Sequence, residues 1–121
     1  MPCVFFKNVP TGFVFDPNLI RQLHQTISVL ADGANVELHV ENTHYTMLTP
    51  AGTMVPATNV HAVVEWHERP QHIATAVAIA IHYFLTAHGI GNGSDITIRD
   101  YPSGSFYFDG KVVESGPPVA A

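Results

Sequence analysis

Residues 60–89, VHAVVEWHERPQHIATAVAIAIHYFLTAHG, decide the fold. The first seven are rich in valine and end in tryptophan, a composition typical of a buried strand. Pro70 then marks the start of a helix, and Gly89 marks its end. The residues predicted to fill the interior of this helix are Ile73, Val77, Ile81, Phe84 and Leu85. Ile96 and Ile98 alternate with polar residues and predict a further strand, which completes a βαβ unit.

The same order of elements occurs about 58 residues earlier in the chain. Residues 3–7 predict a short buried strand, and Asp16-Pro17 has the form of a helix start, with the aspartate as the N-cap. The apolar stripe of the predicted helix consists of Ile20, Leu23, Ile27 and Leu30. A half-buried strand follows, in which Val36, Leu38 and Val40 alternate with Glu37, His39 and Glu41. The two halves share an architecture rather than a sequence.

These patterns predict one α+β domain over residues 1–121. Two tandem βαβ units, about residues 2–45 and 60–101, are expected to form a four-stranded mixed sheet with two helices on one face. Residues 46–59 are expected to be a connecting loop containing at most a little strand. Asp109-Gly110 predicts a C-terminal hairpin over residues 105–114. Apolar side chains on the sheet face without helices would need a cover, and oligomerisation is the simplest one.

Composition and charge exclude several classes of function. The net charge is −5 and the five basic residues are scattered, so we expect no nucleic-acid partner. The longest apolar stretch, residues 73–85, is too short and too polar to span a membrane. Cys3 is the single cysteine and no secretory leader is visible, so we expect a cytoplasmic protein. Only 12% of the residues are charged, which suggests that other subunits cover part of the surface.

Pro2 is a candidate general base. Aminopeptidases usually remove a methionine that precedes a small residue, and a secondary amine would then begin the chain. An exposed α-amino group titrates near pH ~8, and burial beside a cation lowers its pKa toward neutrality, where an amine is an effective base. The alternative is a proline that follows the start codon by chance.

Arg69 lies at the turn between a predicted strand and its helix. A guanidinium there can bind a carboxylate through two parallel hydrogen bonds. The alternative is an exposed arginine paired with Glu65 or Glu68. The eight histidines show no metal-ligand spacing; His67 and His72, for example, are five residues apart. We therefore expect surface or interface histidines, no metal and no other cofactor.

Four segments together resemble the tautomerase superfamily, which includes 4-oxalocrotonate tautomerase, malonate semialdehyde decarboxylase and macrophage migration inhibitory factor. Within it, the chain is most similar to an uncharacterised bacterial subgroup of similar length. The segments are Met1-Pro2 before an apolar strand, Glu41-Asn42-Thr43-His44-Tyr45, Val63-Val64-Glu65-Trp66-His67-Glu68-Arg69 and Phe106-Tyr107-Phe108-Asp109-Gly110. Each segment is short, but their order and spacing cover nearly the whole chain.

The resemblance implies a homotrimer in which the sheets face a central channel. It implies that Pro2 acts as general base or acid on an enol or keto acid, without a cofactor. Arg69 falls where arginines of several members bind the carboxylate of the substrate. Tyr101 lies near the place of an active-site tyrosine in some members, and Lys7 is a candidate second cation.

The leading hypothesis is a cofactor-independent tautomerase or isomerase of a small enol or keto acid, with a decarboxylase or dehalogenase as variants. The first alternative is a non-catalytic trimeric ligand-binding protein of the same fold that retains Met1. The second is a protein that binds a metal through its histidines. No clear second arginine accompanies Arg69; Arg99 and Arg21 are candidates only by elimination.

Overall fold

The computed structural model describes residues 1–102 and 104–112. The elements follow in the order β1 (Cys3–Lys7), α1 (Pro17–Leu30), β2 (Glu37–Val40), β3 (Thr46–Leu48), β4 (Met54–Pro56), β5 (His61–His67), α2 (Gln71–Ala87), β6 (Asp95–Tyr101), β7 (Tyr107–Phe108) and β8 (Lys111–Val112). The two predicted βαβ units are β1-α1-β2 and β5-α2-β6. Among the described residues, no helix is both long enough and apolar enough to cross a membrane.

The helices begin and end where the capping residues predict. The carboxylate of Asp16 accepts hydrogen bonds from the backbone N–H groups of Asn18 and Leu19, and Pro17 is the first residue of α1. Gly33 follows the end of α1 with a φ of 77°, and its N–H donates to the carbonyl of Ser28 at 2.7 Å. In α2 the equivalent glycine, Gly89, has a φ of 74°.

The main sheet has the strand order β2-β1-β5-β6. Within each unit the two strands are parallel, and the units join through antiparallel pairing of β1 with β5. Val4 is aligned with Leu38 on one side and with Val64 on the other. This arrangement confirms the predicted four-stranded mixed sheet with two helices.

The core lies between the sheet and both helices. Its largest fully buried side chains include Phe6 and Trp66 from the sheet and Ile27 and Ile81 from the helices. The buried stripe of α2 is Ala74, Val77, Ile81, Phe84 and Leu85. Ile73, predicted in this stripe, is only partly buried and packs against its margin. A stripe of spacing three, four and three passes through Ala74 instead.

The sheet face opposite the helices is mostly polar. Alternation along the strands places on it Cys3, Phe5, Lys7, Glu37, His39, His61, Val63, Glu65, His67, Asp95, Thr97, Arg99 and Tyr101. The apolar side chains on this face are Phe5 and Val63, and Val63 is already buried within the single chain. The expectation of an apolar face that needs a cover is therefore wrong for all but Phe5. Along each strand, the polar side chains mostly point away from the helices and the apolar side chains mostly point toward them.

About half of the large exposed apolar side chains in the described part of the chain lie on the two small hairpins. They include Met47, Leu48 and Met54 on β3 and β4, and Tyr107, Phe108 and Val112 on β7 and β8. The β3–β4 hairpin lies in the segment predicted as a loop with a little strand. The Asp109-Gly110 turn of the second hairpin has φ values of 52° and 75°, as a two-residue turn of this sequence requires. Residues 113 and 114 of the predicted hairpin lie outside the described residues.

The connection between the two units is fastened by a buried asparagine. Asn8 is 4% exposed and follows β1. Its side-chain amide donates to the carbonyls of Ala57 at 2.9 Å and Asn59 at 2.8 Å. Its side-chain oxygen accepts from the backbone N–H of Tyr45 at 3.3 Å. Asn8 thus ties both ends of the connection to the end of β1.

The position of α2 predicts how two isoleucines differ in their effect on stability. Ile81 is fully buried, whereas Ile79 is 51% exposed on the same helix. We expect Ile81→Ala to lower the free energy of unfolding by about 2–5 kcal/mol, because it leaves a cavity in the core. Ile79→Ala should cost less than about 1 kcal/mol. Urea denaturation measures both, and equal losses would contradict this placement of α2.

Candidate active site

Three segments meet at one end of the sheet. The antiparallel register aligns Cys3 with Glu65, which brings the chain end beside the last residues of β5. The parallel register aligns His67 with Tyr101 at the same end of β6. Arg69 follows β5 by two residues. The structure thus brings Pro2, Arg69 and Tyr101, three of the four predicted site residues, to one end of the sheet.

Pro2 is fully buried and fixed by the neighbouring strand. Its carbonyl accepts a hydrogen bond from the backbone N–H of Glu37 at 3.0 Å. The amino group of Met1 lies just beyond it. Burial, and then the positive charge of Arg69, lower the pKa of that amine below its ordinary value of 8.0. The surroundings of the chain end therefore favour an uncharged amine.

Arg69 is half-buried against the core tryptophan. Its guanidinium carbon lies 4.9 Å from the centroid of the Trp66 ring, and its Nη1 donates to the carbonyl of His67 at 3.0 Å. Burial lowers the pKa of Arg69, while the charges of Asp32 and Asp100 oppose that effect. Within the described part of the chain, no carboxylate lies within ion-pairing distance of Arg69. The predicted alternative, a pair with Glu65 or Glu68, is not formed.

Tyr101 is held by a carboxylate. Its hydroxyl donates to Glu65 Oε2 at 3.0 Å, and Glu65 Oε1 lies 3.6 Å from Nη1 of Arg99. Burial, followed by the hydrogen bond and charge of Glu65, raises the pKa of Tyr101 to about 12. The hydroxyl is therefore protonated at neutral pH and committed to Glu65. Arg99, which the sequence offered as a candidate second arginine only by elimination, contacts the site through this carboxylate.

His67 is a site residue that the sequence reasoning missed. It was expected at the surface or an interface, but within this chain it is 7% exposed. Its ring packs edge-on against Tyr101 and Phe106, with centroid distances of 6.1 and 6.0 Å. Burial, and then the chain-end amine and Arg69, lower the pKa of His67 below 6.5. Strand alternation with Glu65 was the sequence signal that could have placed it here.

Two predicted cations lie elsewhere. Lys7 is at the opposite end of β1, aligned with His61, and about 16 Å along the strand from Pro2. Its distance along the strand, rather than its face, separates Lys7 from the site, because Tyr101 and His67 lie on the same polar face of the sheet. Arg21 lies on α1, where its guanidinium binds the side chain of Asn18. The role of Lys7 in substrate binding stays a prediction that this geometry does not favour.

One group of metal-type ligands occurs among the described residues. Cys3, Glu37 and His39 lie on β1 and β2 with one donor atom each, all within 4.8 Å of one another. His39 Nε2 already lies 3.2 Å from Glu37 Oε1, and the His39 ring stacks on Phe5. Burial and the charge of Glu37 raise the pKa of the Cys3 thiol, which opposes formation of a thiolate ligand. Cys3 is distant in sequence from Glu37 and His39, so ligand spacing alone did not reveal the group.

Comparison with known proteins gives a likeness of fold. No protein-family model matches the sequence, and no curated protein matches it. A domain of unknown function from Sebaldella termitidis is 15% identical, with a TM-score of 0.72 over 93% of this chain and 100% of its own. A fused 4-OT, an asymmetric trimer, is 19% identical, with a TM-score of 0.70 over 91% and 94%. Macrophage migration inhibitory factor from Trichinella spiralis is 12% identical, with a TM-score of 0.65 over 92% and 99%.

The chain shares the fold of the fused 4-OT and of macrophage migration inhibitory factor, which confirms the fold that the resemblance drawn from the sequence implied. One of the solved structures that share it, the 4-OT, is itself a trimer. At identities of 12–19% these likenesses concern the fold. The roles of individual residues are therefore argued from the geometry of this chain.

The hydrogen bond between Tyr101 and Glu65 predicts an unusual titration. We expect Tyr101 to titrate near pH 12, and Glu65→Gln to lower its pKa because one hydrogen bond and one charge are lost. Since burial is the largest cause and remains, the lowered pKa should stay above 10. NMR of 13Cζ-labelled tyrosine, with Tyr101→Phe for assignment, measures this. Glu68→Gln is the control, and a wild-type Tyr101 titrating near 10 would refute the contact.

Proposed function

We propose that this protein is a cofactor-independent tautomerase or isomerase of a small enol or keto acid. The observation that carries the proposal is the meeting of the chain end with Arg69 at one end of the sheet. Burial and a neighbouring guanidinium are the two influences that make an amine a base at neutral pH. The same guanidinium is free of carboxylate partners in the described residues, so it is available to a carboxylate substrate.

The proposed reaction moves one proton between oxygen and carbon. Once Met1 has been removed, the neutral amine of Pro2 takes the proton of the enol hydroxyl at C2 of the acid. The electron pair left on oxygen forms the carbonyl, and the double-bond electrons bind a proton at C3, delivered by the ammonium of Pro2. Arg69 holds the carboxylate throughout, and Tyr101 borders the bound acid. The amine is regenerated, so no cofactor is consumed.

Several variants share this arrangement. Decarboxylation or hydrolytic dehalogenation would use the same base and the same carboxylate-binding arginine. The alternative of a non-catalytic ligand-binding protein requires that Met1 stays attached, since Pro2 is then an amide without basic character. A homotrimer is part of the proposal, and so is the cytoplasmic location expected from the single cysteine. The trimeric 4-OT of the same fold supports the assembly.

The proline mechanism predicts a processed chain end. Intact-mass analysis of protein from the native host should show a chain that lacks Met1. Pro2→Ala should then lower kcat/KM for ketonisation of phenylenolpyruvate by about 100-fold, because general base catalysis is worth about 10²–10⁴-fold. Pro10→Ala, at an exposed proline in the loop after β1, is the matched control. A retained Met1 in the native protein would exclude Pro2 as the base and favour the binding protein.

The proposed trimer predicts a defined mass and a defined weak point. Since one chain is 13.2 kDa, sedimentation equilibrium should give a species of about 40 kDa. Phe108 is 61% exposed on the β7–β8 hairpin, which can extend the sheet of a neighbour. Phe108→Asp is therefore expected to shift the protein toward monomer, whereas Val29→Asp, at an exposed position of α1, should not. A wild-type monomer at micromolar concentration would overturn the proposed assembly.

A further inference from the structure

His67 presents the candidate site with a buried polar group that has no hydrogen-bond partner in the part of the chain that the structure describes. Neither Nδ1 nor Nε2 has a hydrogen-bond partner among residues 1–102 and 104–112, although only 7% of the residue is exposed. Buried polar atoms in folded proteins nearly always have a partner, because an unpaired one lowers stability. The contacts of the ring with Tyr101 and Phe106 account for its faces and edges as an aromatic group, but not for its nitrogens.

The position of this imidazole places it beside the candidate site. It lies at the end of β5, aligned with Tyr101, and the charges of the chain-end amine and of Arg69 both lower its pKa. Glu65, two residues earlier on the same strand, is already bound to the Tyr101 hydroxyl and paired with Arg99. The free nitrogens of His67 therefore belong to the same end of the sheet as the proposed base and the carboxylate-binding arginine.

We propose that His67 is a substrate-binding residue that hydrogen-bonds an uncharged oxygen of a monocarboxylic 2-oxo or 2-enol acid whose carboxylate is bound by Arg69. This inference rests on the proposed function for the choice of acid, but not for the existence of the site. The second polar contact to the substrate is then an uncharged hydrogen-bonding group rather than a second cation. The site accordingly discriminates against a second carboxylate.

The electrostatic surroundings explain that preference. Burial, the amine and Arg69 all disfavour a protonated His67, so the ring is neutral at neutral pH and offers one donor and one acceptor. A neutral imidazole gives a second carboxylate no charge compensation, and Glu65 would repel it. A carbonyl or hydroxyl oxygen, by contrast, needs only one hydrogen bond. The stacked rings of Tyr101 and Phe106 border this oxygen with apolar surface.

Three related acids test the proposal by binding alone. Hexanoate has the carboxylate only, 2-oxohexanoate adds the carbonyl at C2, and 2-oxohexanedioate adds a second carboxylate. Binding is followed by calorimetry and by the fluorescence of Trp66, the single tryptophan, which packs against Arg69. For wild-type protein we expect 2-oxohexanoate to bind about 10-fold more tightly than hexanoate, the contribution of one hydrogen bond to a buried group. The dicarboxylate should bind no more tightly than 2-oxohexanoate.

Variants separate the carbonyl contact from the carboxylate contact. His67→Phe keeps an aromatic ring and removes both nitrogens, so it should abolish the difference between 2-oxohexanoate and hexanoate without weakening hexanoate. Arg69→Ala should weaken both acids to a similar extent. His72→Phe, the same substitution at an exposed position of α2, should leave the difference unchanged. In 15N-histidine NMR spectra, the His67 ring signals should shift with 2-oxohexanoate and not with hexanoate.

The outcomes distinguish this inference from the proposed reaction. If His67→Phe retains the full preference for the 2-oxo acid, or if wild-type protein binds none of the three acids, His67 is not a binding residue. If the variant loses stability while the ligand preference is unchanged, its role is packing alone, which also overturns the inference. Binding that depends on His67 in a protein without tautomerase turnover would instead refute the proposed reaction and leave this site intact.

Discussion

The antiparallel pairing of β1 with β5 is the constraint on which the rest of the structure depends. Among the described residues it is the only strand pairing in the main sheet that joins the two βαβ units, since every other pairing there lies within a unit. Its register fixes which side chains of each strand face the helices, because a shift by one residue would exchange the two faces. Val4 and Phe6 meet Val64 and Ala62 on the core side only in the observed alignment.

The same register determines the chemistry at the end of the sheet. It stops β1 opposite the last residues of β5, so the chain begins where Trp66 and His67 end their strand. Trp66 links the core to the site. Its buried ring packs against the guanidinium of Arg69, and its Nε1–H donates a hydrogen bond to Asp100 at 2.8 Å. The proposed base and the arginine are thus placed by the packing of the core rather than by a mobile loop.

Much of the fold was predictable because local signals and packing agree. The N-cap at Asp16, the glycine at position 89 and the turn at Asp109-Gly110 each act over a few residues, and all three lie where predicted. The apolar alternation of the strands gave their faces. The features that the sequence did not predict are those that depend on residues distant in the chain. The burial of His67 requires Tyr101 and Phe106, and the separation of Lys7 from Pro2 requires the extended geometry of β1. Arg69 was predicted from its place after a strand, but its lack of a carboxylate partner appears only in three dimensions.

The duplicated architecture gives the sheet two equivalent ends, and they have diverged. At the second end of the sheet, β1 and β2 finish beside the beginning of β5. Asn8 occupies the position in the first βαβ unit that Trp66 occupies in the second. The three hydrogen bonds of Asn8 close that end with backbone from the connecting segment. A pair of fused half-domains could in principle offer two ligand sites, one for each internal copy. If the first end binds an acid as proposed, the hydrogen-bonded second end leaves one ligand site for each polypeptide, so we expect the binding stoichiometry to follow the number of chains and not the number of repeats.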